Sequence, residues 1–454
     1  MRVQTDSRKV KPGDTFIAIK GEKYDGHDFI ENAITNGASK IIAEHGDYRV
    51  YTRIVSDTKK YLYYYLNKLY GEEMSKMNII GVTGTNGKTT TAFLIYKALN
   101  MLNQPCAYIG TIGFYRQNKV MELDRTTPEV ADIYNMILDC IENGVFNVTM
   151  EVSSHALAMG RVKNLKFNTA IFTNLTGDHL DFHKTFENYA LTKKQLFEQI
   201  TLDGCAIINS DDENAHIMLN PKNKNITYGF SADDYRILRY FYDKNVMKFD
   251  YKFKDITHNV TTKLLGKYNI YNLMSLIIAL ESMGLDTHQI MDTVKELESP
   301  SGRFEVLKYG SNRVVIDYAH TVDAVNNVLN TAKEFSRGKI YSIIGCGGDR
   351  DKTKRSDMLR SALELSDKVI ITNDNPRTED ELSIVRDMLK GNEEHGCYEI
   401  LLDREEAIKR GISFLKDNDT LMILGKGHEN YQIIGDKKYH HDDREVALQY
   451  IKKR

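Results

Sequence analysis

One stretch narrows the folds open to this chain more than any other: Asn78-Ile79-Ile80-Gly81-Val82-Thr83, followed at once by Gly84-Thr85-Asn86-Gly87-Lys88-Thr89-Thr90. A short apolar run suited to a buried strand leads into a glycine-rich turn, and the turn opens an amphipathic helix predicted from about 88 to 102. Backbone N–H groups at such a turn, with the positive end of a helix dipole behind them, cradle phosphate. Lys88 would reach the terminal phosphates of a nucleotide and the Thr89 hydroxyl would hold Mg²⁺. The strict G-x-x-x-x-G-K-[ST] spacing is not met, because Val82 stands where the first glycine belongs. The competing reading is a glycine-rich turn with an exposed lysine; strand, loop and helix in register favour phosphate binding.

The rest of the chain repeats the alternation. Residues 1 to about 75 place short apolar strands such as 15–19 and 40–43 between helical stretches such as 28–36 and 57–70, a small α/β unit. The tyrosines at 61, 63, 64, 65 and 70 read as packing against a sheet rather than as a stacking platform. Strands near 105–109, 147–152, 168–173 and 205–208 then alternate with helical patterns, the βαβ signature of a mostly parallel sheet. A Pro/Gly-containing seam, Glu298-Ser299-Pro300-Ser301-Gly302-Arg303, marks a boundary near 300. Beyond it, apolar strands at 313–317, 340–345, 368–372 and 420–425 suggest a small doubly wound domain.

Composition removes several classes. With 61 Lys+Arg against 63 Asp+Glu, the net charge of −2 gives no basic stripe for nucleic acid. At 454 residues, 41% hydrophobic and with only 6 prolines, the chain is long enough for roughly three domains with cores of their own. Five scattered cysteines without a C-x-x-C pair read as reduced, mostly buried thiols of a cytoplasmic protein. No apolar leader opens the chain and no apolar run approaches a membrane span, so export and membrane insertion are not expected.

Two further segments carry chemistry. Met150-Glu151-Val152-Ser153-Ser154-His155 and Asn174-Leu175-Thr176-Gly177-Asp178-His179-Leu180-Asp181-Phe182-His183 each follow an apolar strand. Residues at the carboxyl ends of neighbouring strands in an open α/β sheet converge on one crevice. Glu151 and His179 are therefore expected to share a metal with the nucleotide's phosphates, against the reading of a structural histidine.

Together with Thr126-Thr127-Pro128-Glu129, Gly160-Arg161, Gly266-Lys267-Tyr268-Asn269, Gly302-Arg303-Phe304-Glu305, Asp317-Tyr318-Ala319-His320, Gly347-Gly348-Asp349-Arg350-Asp351, Asp374-Asn375-Pro376-Arg377 and Gly425-Lys426-Gly427-His428-Glu429, these motifs run nearly the length of the chain. In content and order they resemble the Mur ligases of peptidoglycan synthesis, and within them the branch that adds the third residue of the stem peptide.

The resemblance implies an α/β, three-domain architecture: a UDP-substrate domain at 1–75, a central P-loop ATPase domain at 76–299, and a C-terminal, Rossmann-like amino-acid domain at 300–454 that closes over the second. It implies ATP-dependent amide formation. The γ-carboxylate of D-Glu in UDP-MurNAc-L-Ala-D-Glu takes the γ-phosphoryl group of ATP, and the amine of the incoming amino acid displaces phosphate from the acyl phosphate. By the same resemblance Lys88, Glu151, His179 and a carbamylated Lys193 are catalytic. Thr89, Glu151, His179 and carbamylated Lys193 hold Mg²⁺. ATP is bound by Gly84, Thr85, Asn86, Gly87, Lys88, Thr89 and Thr90 with Asn272, Arg303 and Asp317. The UDP-substrate meets Ser7, Thr126, Thr127, Ser153 and Arg161. Six residues precede Ser7, a shorter lead-in than the family's, so the uracil is expected to be less enclosed. The amino acid meets Arg350, Asp374, Asn375, Pro376, Arg377, Gly425 and Glu429. Arg377 supplies a guanidinium fork for the second carboxylate of meso-diaminopimelate, which lysine lacks. A monomer acting on small molecules is expected. The alternatives are a ligase adding L-lysine, a Mur-like paralogue such as one resembling folylpolyglutamate synthase, or a nucleotide-gated binding module.

Overall fold

The computed structural model describes residues 1–21, 24–177, 179–243 and 246–452, without the side chains of Leu180 and Asp181. Asp178 and those two side chains, part of the motif quoted above, lie outside the described residues. Contacts gather the chain into two compact units, one of residues 1–235 and 275–290, the other of 236–274 and 291–454.

The first unit opens with a parallel four-stranded sheet, Val3–Gln4, Thr15–Ile17, Lys40–Ala43 and Tyr51–Ile54, in that order. Asp57 caps the helix Thr58–Ser75 that follows, its side chain accepting from Lys60 N. Leu62, Tyr65, Leu66 and Tyr70 of this helix share one apolar cluster with Tyr134, Ile137 and Leu138 further along. That shared core makes the N-terminal segment part of the larger unit by contact. Of the helix tyrosines, Tyr65 and Tyr70 are buried and Tyr64 is exposed.

The larger sheet of this unit places the strand Asn78–Thr83 between Phe167–Phe172 and Asn147–Glu151. Outward from these lie Ile200–Asn209 and Lys224–Gly229 on one side and Cys106–Gly110 on the other, all parallel. The β-rich run NIIGVT is inaccessible from Ile79 onward, as both faces of a parallel sheet are covered. Central placement directs the carboxyl ends of three adjacent strands, at Thr83, Glu151 and Phe172, to one edge of the sheet.

In the second unit Glu305–Tyr309 pairs antiparallel with Asn312–Asp317. Parallel strands then follow in the order Thr420–Leu424, Ile340–Ile344, Lys368–Ile371 and Tyr398–Ile400. The expected strands at 313–317, 340–345, 368–372 and 420–425 coincide with these to within a residue at their ends. Antiparallel hairpins at 113–121, 246–262 and 431–440 were not foreseen. Their strands intersperse polar residues, as in Val246–Phe253 and in Lys437–His440, the latter exposed throughout, and so lack the continuous apolar runs that mark the parallel strands. Cys106, Cys140, Cys205 and Cys346 are buried free thiols, and Cys397 is exposed.

Candidate active site

The phosphate-loop geometry follows from its glycines and from the strand beside it. Gly84 has φ near 148°, and a Cβ there would fall 1.9 Å from Thr173 Oγ1. Only glycine permits that approach. Gly87, at φ 85°, starts the helix Lys88–Met101 and caps it with no side-chain hydrogen bond. The loop is pinned from the end of the strand Phe167–Phe172. Asn86 N donates to Asn174 Oδ1 at 2.9 Å, Asn174 Nδ2 donates to Asn86 O at 3.1 Å, and Thr173 Oγ1 donates to the same carbonyl at 2.6 Å. Thr85 N donates to Asn174 O at 2.9 Å. Lys88 Nζ bends back over the loop, donating to Gly84 O at 3.0 Å and Thr85 O at 2.8 Å. Its ammonium is thus held against the loop's own carbonyls, and Thr89 and Thr90 follow as buried residues of the first helical turn.

Glu151 ends the strand next to the loop and is fully buried. Thr89 Oγ1 donates to its Oε2 at 2.8 Å, while Tyr108 OH and Thr111 N donate to its Oε1 at 2.5 and 2.8 Å. A buried carboxylate so completely supplied with donors is held in one orientation. Tyr108 and Thr111 had no part in the sequence reading. They come from the neighbouring strand Cys106–Gly110 and the turn after it, and only strand register shows that they meet Glu151.

On the same carboxyl edge Thr127 Oγ1 donates to Glu151 O at 2.8 Å, and Ser153 N donates back to Thr127 Oγ1 at 3.1 Å. Thr111 Oγ1 bonds to Thr126 Oγ1 at 3.1 Å. Arg161 Nη1 donates to Thr127 O at 3.3 Å, and its Nε lies 3.0 Å from Glu129. Burial pulls the Arg161 pKa down, and Glu129 opposes it. The structure therefore joins Thr126, Thr127, Ser153 and Arg161 to the Glu151 network. Ser7 is buried at the start of a short 3₁₀ turn between the first two strands of the N-terminal sheet, its carbonyl accepting from Asn36 Nδ2.

The two lysines at 193 and 194 part company. Lys193 is 1% exposed, and its Nζ donates to Gly84 O at 2.7 Å over the ring of Tyr189. Lys194 turns the other way and bonds Leu219 O. His179 is exposed, with its ring edge-on to His155 at 4.7 Å, whereas Glu151 is buried among the donors just described. Among the described residues no three His, Cys, Asp or Glu side chains gather as a metal cluster.

In the second unit Asn375 Nδ2 donates to Glu429 Oε2 at 2.9 Å, and the fully buried Lys426 bridges Asn375 Oδ1 and Glu429 Oε2 at 3.2 and 3.1 Å. Arg377 Nη1 donates to Gly348 O at 2.7 Å. Gly425, at φ 112°, comes so close to Asp374 that a Cβ there would sit 2.6 Å from Asp374 Oδ2. Arg350 is exposed, yet a Cβ on Gly347 would lie 3.0 Å from Arg377 Nη1 and 3.6 Å from Arg350 Cγ, so the two arginines flank one glycine. Asp374, Asn375, Pro376, Arg377, Gly425 and Glu429 thus form one cluster with Arg350 at its rim. Lys426, quoted within a motif but given no role, is at its centre. Elsewhere in this unit Asp317 accepts from Phe304 N at 2.7 Å, and burial pushes its carboxyl up to about 6 although Arg303 opposes the shift. Arg303 stacks on Tyr318 at 4.6 Å, and Asn272 bonds Asn269 at 2.9 Å.

Family models match three successive segments: Mur ligase family, catalytic domain, over residues 2–70; Mur ligase middle domain over 82–280; and Mur ligase, glutamate ligase domain over 302–427. The UDP-N-acetylmuramoyl-L-alanyl-D-glutamate--2,6-diaminopimelate ligase of Clostridium botulinum is 41% identical over 462 residues, covering 99% of this chain and 95% of that protein. Its counterpart in Bacillus cereus is 40% identical, covering 99% and 93%. A solved structure of a ligase of the same name is 34% identical with a TM-score of 0.70, covering 100% of this chain and 94% of the other. MurF ligase from Thermotoga maritima, solved with ADP, shares the fold at 19% identity and a TM-score of 0.72, covering 100% and 97%. The chain belongs to the Mur ligase family.

Proposed function

We propose that the protein joins meso-diaminopimelate to UDP-MurNAc-L-Ala-D-Glu at the expense of ATP, building a peptidoglycan precursor. The observation that carries this reading is identity of about 40%, from end to end, with ligases named for that reaction. In the chemistry so assigned, an oxygen of the D-Glu γ-carboxylate bonds to the γ-phosphorus of ATP and the β–γ bridge leaves with ADP. The amine of the incoming amino acid then attacks the acyl carbon, and inorganic phosphate departs with the C–O bond electrons. Bringing two anions together is the physical obstacle. The Lys88 ammonium, held by the loop carbonyls of Gly84 and Thr85, lowers it by offsetting charge on the transferring phosphoryl group. The oxygens of Thr89 and Glu151, 2.8 Å apart beside the phosphate loop, suit a hard divalent cation. With His179 and carbamylated Lys193 they would hold Mg²⁺, which supplies further charge neutralisation there. In this reading residues 1–75 with Ser7 take the uridine end, and 76–299 bind ATP and, through Thr126, Thr127, Ser153 and Arg161, the rest of the UDP-substrate. Residues 300–454 bring the amino acid. Asn272, Arg303 and Asp317 contribute to the nucleotide site.

Two small anionic substrates and an amino acid need neither nucleic acid nor a membrane, and no helix among the described residues is long and apolar enough to cross one. We take the enzyme to act as a cytoplasmic monomer. Phosphate release should require ATP, the UDP-dipeptide and an amino acid together. Release with the UDP-dipeptide absent, or with folate derivatives in its place, would point to the paralogue reading.

Carbamylation takes one proton from the Lys193 ammonium, and the free amine then adds CO₂ with loss of a second proton, turning a cation into an anionic oxygen ligand. Burial of Lys193 against Gly84 O, with Lys194 turned toward Leu219, favours Lys193 over its neighbour for that role. Lys193→Ala should lose most activity and regain part of it with added formate or acetate, while Lys194→Ala remains active. A rescuable phenotype at Lys194 instead would shift the assignment by one residue.

A further inference from the structure

The two loops of the amino-acid cluster extend from strands that do not touch. Asp374-Asn375-Pro376-Arg377 follows Lys368–Ile371, Gly425 to Glu429 follow Thr420–Leu424, and Ile340–Ile344 lies between those strands in the sheet. Sheet hydrogen bonding therefore sets each loop relative to the middle strand but does not tie one loop directly to the other. Asn375 bonds Glu429 and Lys426 across the loops themselves, and one further side chain ties the loops together at their base. Arg404 Nη1 donates to Asn373 O at 3.2 Å and Nη2 donates to Leu424 O at 3.0 Å, the carbonyls immediately before the two loops. The rest of the guanidinium is spent on Asp443, with Nε to Oδ1 at 2.8 Å and Nη2 to Oδ2 at 2.7 Å.

Nothing local recommends an arginine here. Arg404 is the first residue of the helix Arg404–Phe414, where a cation opposes the helix dipole, and Asp403 already provides the cap. Both side chains of the pair are fully buried, and a buried ion pair is rarely more stabilising than apolar residues of the same volume. Stability alone is a weak reason for it. Geometry supplies a stronger one, since a planar fork with five donors can span two carbonyls and a carboxylate at once.

Asp443 also ties in the C-terminal hairpin. It opens the helix Asp443–Lys452 and accepts from His441 Nε2 at 3.0 Å. Between Glu429 and His441 lie the strands Tyr431–Ile434 and Lys437–His440, which dock on the first loop through Ile433 N to Asn375 Oδ1 at 2.9 Å and Gln432 Nε2 to Asp374 O at 2.8 Å. We infer that Arg404 is a positioning residue for the amino-acid site, fixing the separation of the two loops so that Arg377 and Glu429 engage the same amino acid. The inference rests on the assignment of these loops to the amino acid in the proposed function.

Two variants test it. Arg404→Lys keeps a cation beside Asp443 but cannot reach both carbonyls. Arg404→Met with Asp443→Leu removes the pair without leaving a lone buried charge. In each, KM for meso-diaminopimelate should rise about tenfold or more, with KM for ATP and for the UDP-dipeptide within about twofold of wild type. Thermal unfolding of the double variant should stay cooperative, with the raised amino-acid KM persisting although no unpaired charge remains. A purely structural role would change the melting temperature and leave the three KM values as they were. That outcome in either variant, or a parallel rise of all three, overturns the inference. The underlying assignment is tested separately by Arg377→Ala. An unchanged amino-acid KM in that variant would take the site away from these loops, and Arg404 with it.

Discussion

Lys88→Ala should leave the protein folded and lower kcat by about 10³-fold, roughly 4 kcal/mol of transition-state stabilisation, the scale of losing a preorganised cation at a transferring phosphoryl group. The folded state loses little. Lys88 is half-buried, and its hydrogen bonds among the described residues run to carbonyls of its own loop, so their removal costs about 1 kcal/mol in stability. The loop itself is kept in place by Asn174 and Thr173 rather than by Lys88. Unfolding curves and steady-state rates measured on the same preparation separate the two effects. A folded Lys88→Ala enzyme with near-normal kcat would remove Lys88 from the chemistry, and a protein that fails to fold would make it a structural residue.

The second large effect concerns which amino acid is accepted. Arg377 sits at φ 53°, a left-handed conformation imposed by the hairpin, to which it is joined on both sides. Its N–H donates to Ile433 O at 3.0 Å and its carbonyl accepts from Gly435 N at 2.7 Å. Nη1 is committed to Gly348 O and, more weakly, to Asn375 O. Nε and Nη2 make no hydrogen bond among the described residues, which leaves one edge of the fork for a carboxylate. The competing pairing with Glu379 is not made, because Glu379 is taken by Arg355, Lys352 and Asp349 N. Diaminopimelate offers a carboxylate on its distal carbon and lysine does not. With lysine in place the guanidinium would be left without its anion, and a polar site left unpaired discriminates by several kcal/mol, on the order of 10⁴-fold in kcat/KM. Arg377→Ala should raise KM for diaminopimelate by about 10²-fold or more, the worth of a bidentate charged contact, and shrink the preference over lysine. A wild-type preference for L-lysine would overturn this, and the enzyme would then be the lysine-adding alternative.

The phosphate loop, the parallel strands around it and the family could be read from residue order, because each depends on contiguous sequence. A covered strand needs an unbroken apolar run, a close-approach turn needs glycine at fixed offsets, and a helix start needs the residues just before it. Asp374 to Arg377, Gly425 and Glu429 were singled out by the family resemblance, and each segment lies just past the end of an apolar strand. The antiparallel hairpins escaped because their strands are short or intersperse polar residues and carry no such run. What only the tertiary structure decided is which distant residues meet. Tyr108 and Thr111 reach Glu151 across one strand boundary, the Lys193 that the resemblance singled out bonds Gly84 O, and Arg404 spans two loops whose strands are separated by a third. These contacts depend on strand order, on register and on which face of a helix is buried, where a shift of one residue sends a side chain to the opposite face. Such quantities are fixed by long-range pairing and core packing, and no local segment of this sequence encodes them.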